Sequence, residues 1–297
     1  MIIVMQKQAG AAEIAHVVEF IRSRGLHEHI SQGEERTIIG AVGDERVFRH
    51  NEVENLPGVE RAIRVLNDWK TISREHQAHN SVITVRGVAF GGGKMLDICT
   101  AAGPSAAADA VFTDPFYLEA RPYAGEDLSG QQHQIQHMQN QIRHCHQDGK
   151  PVLVRIRDVR QIEAALDAEA DILYLGGELM GNRSLQDEVG RLNTPVVLCK
   201  DKHHRVDDWL VAAEHIASRG NLHIILGEAG TLSFEPDNAY RLDIDAIVRA
   251  RRVTHLPVIA NITRLFHHDM PQHILYKLAA AAGVCGIVST LPLPQEA

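Results

Sequence analysis

The chain has 297 residues, 44% hydrophobic and 23% charged, which is enough apolar material to bury a core in one large domain or a large one plus a small one. A net charge of -8, from 30 basic and 38 acidic residues with no basic run, argues against a nucleic-acid or anionic-membrane surface, since both need a local excess of Lys and Arg. The opening MIIVMQK is too quickly polar for a signal segment, and no stretch approaches the roughly 18 apolar residues of a membrane span, so a cytoplasmic protein is expected.

Residues 1 to about 66 read as strand Ile2 to Met5, helix Ala11 to Arg24, strands Leu26 to Ser31 and Thr37 to Val42, a short helix near Asn51, and strand Arg61 to Leu66. That order is the split βαβ of a ferredoxin-like domain, expected over residues 1–70. A connector and small hairpin over 71–94 end at Gly91-Gly92-Gly93, which lacks the context of a phosphate cradle and reads as a flexible connection. From 95 to 297, apolar strands are expected at 95–99, 110–113, 151–155, 171–175, 195–199, 223–227, 257–260 and 286–289. Helices alternate with them at about 131–147, 158–168, 183–191, 206–219, 243–252 and 270–282.

Eight strands in βα alternation predict an α/β fold, a (β/α)8 TIM-like barrel. Only about eight residues separate the first two strands, too few for an outer helix, and the chain stops about eight residues after the eighth. The barrel therefore lacks its first and last outer helices, and both gaps fall on the seam between strands one and eight. Apolar strand surface is expected there, covered by the N-terminal domain, by another copy in a homo-oligomer, or by a partner protein. The four cysteines, Cys99, Cys145, Cys199 and Cys285, form no CxxC pair and read as reduced residues.

Several blocks, HISQGEERTIIGAVGDER (His29 to Arg46), LPGVERAIRVLNDWKTISRE (Leu56 to Glu75), GVAFGGGK (Gly87 to Lys94), WLVAAEHIASRGN (Trp209 to Asn221) and HLPVIA (His255 to Ala260), resemble the 3-deoxy-D-arabino-heptulosonate 7-phosphate (DAHP) synthases that carry an N-terminal ferredoxin-like domain. The resemblance implies a TIM barrel, a small domain that senses aromatic end products, and usually a homotetramer. It also implies metal-dependent condensation of phosphoenolpyruvate with erythrose 4-phosphate at the entry to aromatic biosynthesis.

Carried over by residue, the resemblance implies metal ligands that are not found. The family's Cys follows a Gly-Pro, but here Gly103-Pro104 is followed by Ser105, and a gapless alignment puts Ala102 at the cysteine. Strand seven ends in Ala260-Asn261-Ile262-Thr263 in place of Asp-Pro-Ser-His, and strand eight in Ser289-Thr290-Leu291-Pro292 in place of a Glu. Phosphate-binding cations are replaced as well. Thr113 and Leu118-Glu119-Ala120-Arg121 stand for an Arg and Lys-Pro-Arg-Thr, Gly176-Gly177-Glu178 for Gly-Ala-Arg, Cys199-Lys200-Asp201 for Lys-Arg-Gly, and Glu228-Ala229-Gly230-Thr231-Leu232 for Glu-Arg-Gly-Ile-Arg. Of these Glu228 matches, and Lys200 is the nearest retained cation. Glu178 in place of an Arg is expected to repel an anion.

The sequence reading is therefore a divergent member without DAHP synthase activity: a pseudoenzyme acting as a binding, regulatory or scaffold subunit, with no cofactor. The alternative is an enzyme of specialised metabolism using a rebuilt site on a less phosphorylated substrate. Candidate rim residues for such a site are Asp114, Tyr117, Glu178, Lys200, His203, His204, Glu228, Arg264, His267 and His268. The His pairs with carboxylates would take zinc if they converged, and Lys200 would form a Schiff base if buried, although Asp201 and Lys202 suggest a wet loop. In HQIQHMQNQIRHCH, His133, His137 and His144 lie within about 40° of one another on a helix, opposite Ile135, Met138 and Ile142, and read as a solvent face.

Overall fold

A computed structural model describes the chain except for residues 33–35, 45–46, 64–67, 102–106, 118–130, 236–237 and 292–297. It divides into two compact units, Met1–Asp68 and Trp69–Ala297. The family-type positions Ala102 to Ser105, Leu118 to Arg121 and Pro292 lie outside the described residues.

The first unit runs β1 (Ile2–Met5), α1 (Ala11–Ser23), β2 (His27–Gln32), β3 (Thr37–Val42), α2 (His50–Glu54) and β4 (Val59–Ile63), forming an antiparallel sheet in the order β2-β3-β1-β4. Alternation sends Ile3, Met5 and Ile39 to one face, where they are fully buried with Val17 and Ile21 of α1. β4 begins two residues earlier than the sequence suggested. Its register is set by the four-residue β1, which it pairs from Ile2↔Ile63 to Met5↔Val59 through an irregularity at Val4/Met5.

In the second unit a hairpin, β5 (Ile83–Val85) and β6 (Val88–Phe90), precedes β7 (Leu96–Thr100), β8 (Ala110–Thr113), α3 (Gln131–Gln147), β9 (Val152–Ile156), α4 (Gln161–Asp167), β10 (Ile172–Leu175), α5 (Arg183–Val189), β11 (Val196–Cys199), α6 (Val206–Ser218) and β12 (Ile224–Glu228). A two-residue ribbon, β13 (Thr231–Leu232) and β14 (Tyr240–Arg241), leads to α7 (Ile244–Val253), β15 (Val258–Asn261), α8 (Gln272–Ala282) and β16 (Gly286–Ser289). The eight parallel strands β7 to β12, β15 and β16 close into a barrel, with β16 pairing β7 from Gly286↔Leu96 to Ser289↔Cys99.

Strands buried on both faces explain the near-continuous apolar runs that made them legible. Ile98, Phe112, Leu153, Ile172, Val197, Ile225, Ile259 and Val288 fill the interior with Phe90 of the hairpin. Their alternates, such as Val154, Leu173, Leu198 and Leu226, pack outward among the helices. The hairpin closes the N-terminal end, where the Ser81 N–H donates to the His255 carbonyl at 2.7 Å, just before β15. Gly91, at φ +92°, approaches Ser81 so closely that a Cβ would lie 2.5 Å from its carbonyl oxygen, so the glycine run is packed at this point.

β7 pairs with β8 in parallel register, Ile98↔Ala110 to Thr100↔Phe112, with no outer helix among the described residues between them. The outward residues at the seam, Cys99, Val111 and Ile287, are buried. Met138 and Ile142 of α3 face the core, and His133, His137 and His144 are exposed. Among the described residues no helix is long and apolar enough to cross a membrane.

Candidate functional site at the barrel mouth

The C-terminal ends of the strands surround a cavity of about 250 Å3, lined by Arg155, Tyr174, Glu178, Asp201, Lys202, Tyr240, Asn261, Thr263 and Arg264 among others. Its floor is neutral. The Tyr174 hydroxyl accepts from Asn261 Nδ2 at 2.9 Å and from the Cys199 thiol at 3.0 Å, and its ring meets Phe112 edge-on at 4.8 Å. Burial pushes the Cys199 thiol up to about 12 and the Tyr174 phenol well above its usual range, so neither supplies a charge at neutral pH.

One wall carries charge that the candidate residues did not include. Strand period places Arg155 on the same inward face as Leu153, with Arg157 two residues on. Arg155 Nη2 donates to Glu178 Oε1 at 2.6 Å, and Arg157 reaches both oxygens of Asp114, through Nε at 2.9 Å and Nη2 at 2.5 Å. Burial opposes ionisation of Glu178, but the Arg155 charge and hydrogen bond, helped by Arg157, outweigh it and hold the carboxyl below its usual range. Glu178 is thus not a bare anion aimed at substrate, as its replacement of an Arg suggested, because β9 provides its counter-charge. The signal was present in PVLVRIRD, where two arginines interrupt an otherwise apolar barrel strand.

Lys200 and Glu228 sit differently from the rim placement expected of them. Lys200 follows the inward-facing Val197 and Cys199 and is among the residues lining the cavity. Its side chain is 2% exposed, with Nζ 3.2 Å from Asp243 Oδ2. The wet-loop expectation fails for Lys200 itself, whose amine is buried against a carboxylate. Glu228 is fully buried; one oxygen accepts from the Gly230 N–H at 2.7 Å, while Oε2 has no hydrogen-bond partner. Burial raises its carboxyl to about 7 against the pull of the Gly230 and Asp243 N–H groups.

The histidines do not converge. His203 and His204 are exposed and turn to the same Asp201 oxygen, each at 3.2 Å. His267 is tied by its backbone to Met270, and His268, almost fully exposed, meets Asp269. Tyr117 is half exposed, with the guanidinium carbons of Arg157 and Arg264 at 5.2 and 5.0 Å from its ring centre.

A closed (β/α)8 barrel with a polar pocket at its C-terminal mouth, preceded by a ferredoxin-like unit, defines a class of two-domain barrel proteins. Residues 1–67 match the DAHP synthase ferredoxin-like domain and residues 129–288 the DAHP synthetase I family, so the chain belongs to the DAHP synthetase I family. Phospho-2-dehydro-3-deoxyheptonate aldolase of Thermotoga maritima is 29% identical over 316 aligned positions, covering 100% of this chain and 90% of that protein. The crystal structure under that name, also called DAHP synthase, superposes with a TM-score of 0.84 at 27% identity, covering 97% of this chain and 86% of that one. A truncated form of the Thermotoga maritima synthase gives a TM-score of 0.65 at 22% identity, over 75% of this chain and 84% of that one.

These matches overturn the expectation of a non-catalytic subunit, and they do not show the alternative in specialised metabolism. The full-length relative is named as an aldolase, and the fold that carries that name is kept almost end to end. A physical reason for the error is visible in the mouth: Arg155 of β9 and Arg157 just after it, which the candidate residues did not include, bring charge there.

Among the described residues, the ends of strands seven and eight do not offer the ligands for the divalent metal that the resemblance implies. Among the described residues no three His, Cys, Asp or Glu side chains are grouped to hold an ion. At the ends of strands seven and eight, Asn261 is bound to Tyr174 and Ser289 donates to the Leu291 carbonyl.

Proposed function

We propose that the chain is an aldolase-type enzyme that joins phosphoenolpyruvate to a short aldose phosphate, erythrose 4-phosphate being the first substrate to test. C3 of phosphoenolpyruvate forms a carbon–carbon bond to the aldehyde carbon, whose oxygen takes up a proton; water adds at C2, the C2–O bond to the phosphate breaks, and inorganic phosphate leaves behind a ketone. The observation that carries this reading is the polar cavity at the mouth of a barrel that superposes on DAHP synthase with a TM-score of 0.84. At about 250 Å3 the cavity lies just under the roughly 300 to 1,000 Å3 range of drug-sized pockets and suits a small metabolite. Arg155, which lines the cavity and is fixed by Glu178, presents an oriented guanidinium to an anionic substrate, with the Arg157–Asp114 pair beside it, and the Phe112–Tyr174 floor keeps water from its apolar side. The ferredoxin-like unit is read as the regulatory part of a homo-oligomer.

The test follows loss of the phosphoenolpyruvate absorbance on adding erythrose 4-phosphate, with and without divalent ions and after chelation. Product formation that is lost in Arg155→Ala supports the reading. Purified, folded protein that yields no product under any of these conditions refutes it.

A further inference from the structure

The charges at the mouth do not cancel evenly. Arg155 is matched by Glu178, Arg157 by Asp114 and Lys200 by Asp243. Two cations lining the cavity, Lys202 and Arg264, make no ion pair among the described residues. Each rests on an aromatic ring instead, Lys202 Nζ at 3.4 Å from the Tyr240 ring centre and the Arg264 guanidinium carbon at 5.0 Å from that of Tyr117. A ring face orients a cation and strips water from one side without neutralising it. The remaining carboxylate of the lining, Asp201, is turned to the His203 N–H at 2.8 Å and to the rings of His203 and His204. A further donor, Arg155 Nε, is buried in the wall without a hydrogen-bond partner.

We propose that Lys202 and Arg264 form a phosphate-monoester subsite at the mouth, gripping the phosphate of the substrate through residues other than those the family resemblance assigns to phosphate. Two positive charges with no acid partner among the described residues match the roughly 1.5 to 2 negative charges of a phosphate monoester at neutral pH. Arg264 supplies a planar fork for two phosphate oxygens and Lys202 a point charge. A ligand carrying only a carboxylate leaves one of the two cations unsatisfied, so the subsite selects for phosphate. The inference rests on reading the mouth as the active site.

Titration calorimetry on the full chain tests it, with phosphoenolpyruvate, inorganic phosphate and pyruvate as probes. Phosphoenolpyruvate is expected to bind at least about tenfold more tightly than pyruvate. Lys202→Gln and Arg264→Gln are each expected to weaken phosphoenolpyruvate and phosphate by about tenfold to a hundredfold, with pyruvate unchanged and Arg264→Lys restoring part of the loss. Thermal melts check that the variants fold, and the preference of the unaltered protein for phosphoenolpyruvate over pyruvate tests the subsite without any variant. Equal binding of the two by the unaltered protein, or folded variants that bind phosphoenolpyruvate as the parent does, overturns the proposal. Binding without turnover would leave the subsite standing and remove the reaction. Turnover with unchanged variant binding would do the reverse.

Discussion

Glu228→Gln isolates one buried proton. The carboxyl lies at about 7 in the folded protein against a usual 4.5, a difference of about 2.5 units or roughly 3 kcal/mol. Because the folded value is raised, the native state holds a proton that the unfolded chain has already released between those two pH values. The stabilising contribution is complete below pH 4.5 and is lost as the pH rises to about 7, with a slope of up to roughly 1.4 kcal/mol per unit. Glutamine keeps an oxygen to accept from the Gly230 N–H and carries no titratable proton. Urea unfolding of parent and variant at half-unit steps from pH 4.5 to 8 measures the difference. The variant's stability relative to the parent is expected to climb by about 3 kcal/mol up to pH 7 and then level off. Parallel curves across that window would refute the reasoning, since they would mean that Glu228 ionises freely behind β12.

Trp209→Phe, in a side chain with no exposure, removes the Nε1 donor to the Leu198 carbonyl (2.9 Å) and leaves that oxygen buried; urea unfolding is expected to show a loss of about 1 to 3 kcal/mol. Gly177→Ala drives a Cβ into the Lys200 carbonyl and the Asp201 backbone, which have no side-chain freedom to give way. It is expected to cost about 1 to 3 kcal/mol and to weaken phosphoenolpyruvate binding measured by calorimetry, because the β10 and β11 loops that line the cavity must separate.

Legibility differed between scaffold and site. Val-Val-Leu-Cys of β11 reads as a strand because both of its faces are buried, and the α6 stretch from Val206 reads as a helix because Trp209, Leu210, Ala213 and Ile216 recur on one side. β4 was misplaced, since an apolar run such as Val-Glu-Arg-Ala-Ile-Arg-Val-Leu is compatible with several registers and only pairing with β1 selects one. In the site, residue identity was read correctly and its meaning was not. Glu178 is an isolated acid in the sequence and one half of an ion pair in the fold, with a partner 23 positions away on another strand. Lys200 and Glu228 stand at strand ends as expected but are buried there, Lys200 against Asp243 and Glu228 against the Gly230 N–H.

Local patterning, which depends only on neighbours along the chain, determined the ferredoxin-like unit, the eight strands and the family resemblance. The tertiary structure decided which charges meet: Arg155 with Glu178, Lys200 with Asp243, and Lys202 and Arg264 with aromatic rings and, among the described residues, no acid. Electrostatic energy depends on separation and burial in three dimensions, and barrel closure brings together at one mouth residues that the chain keeps far apart.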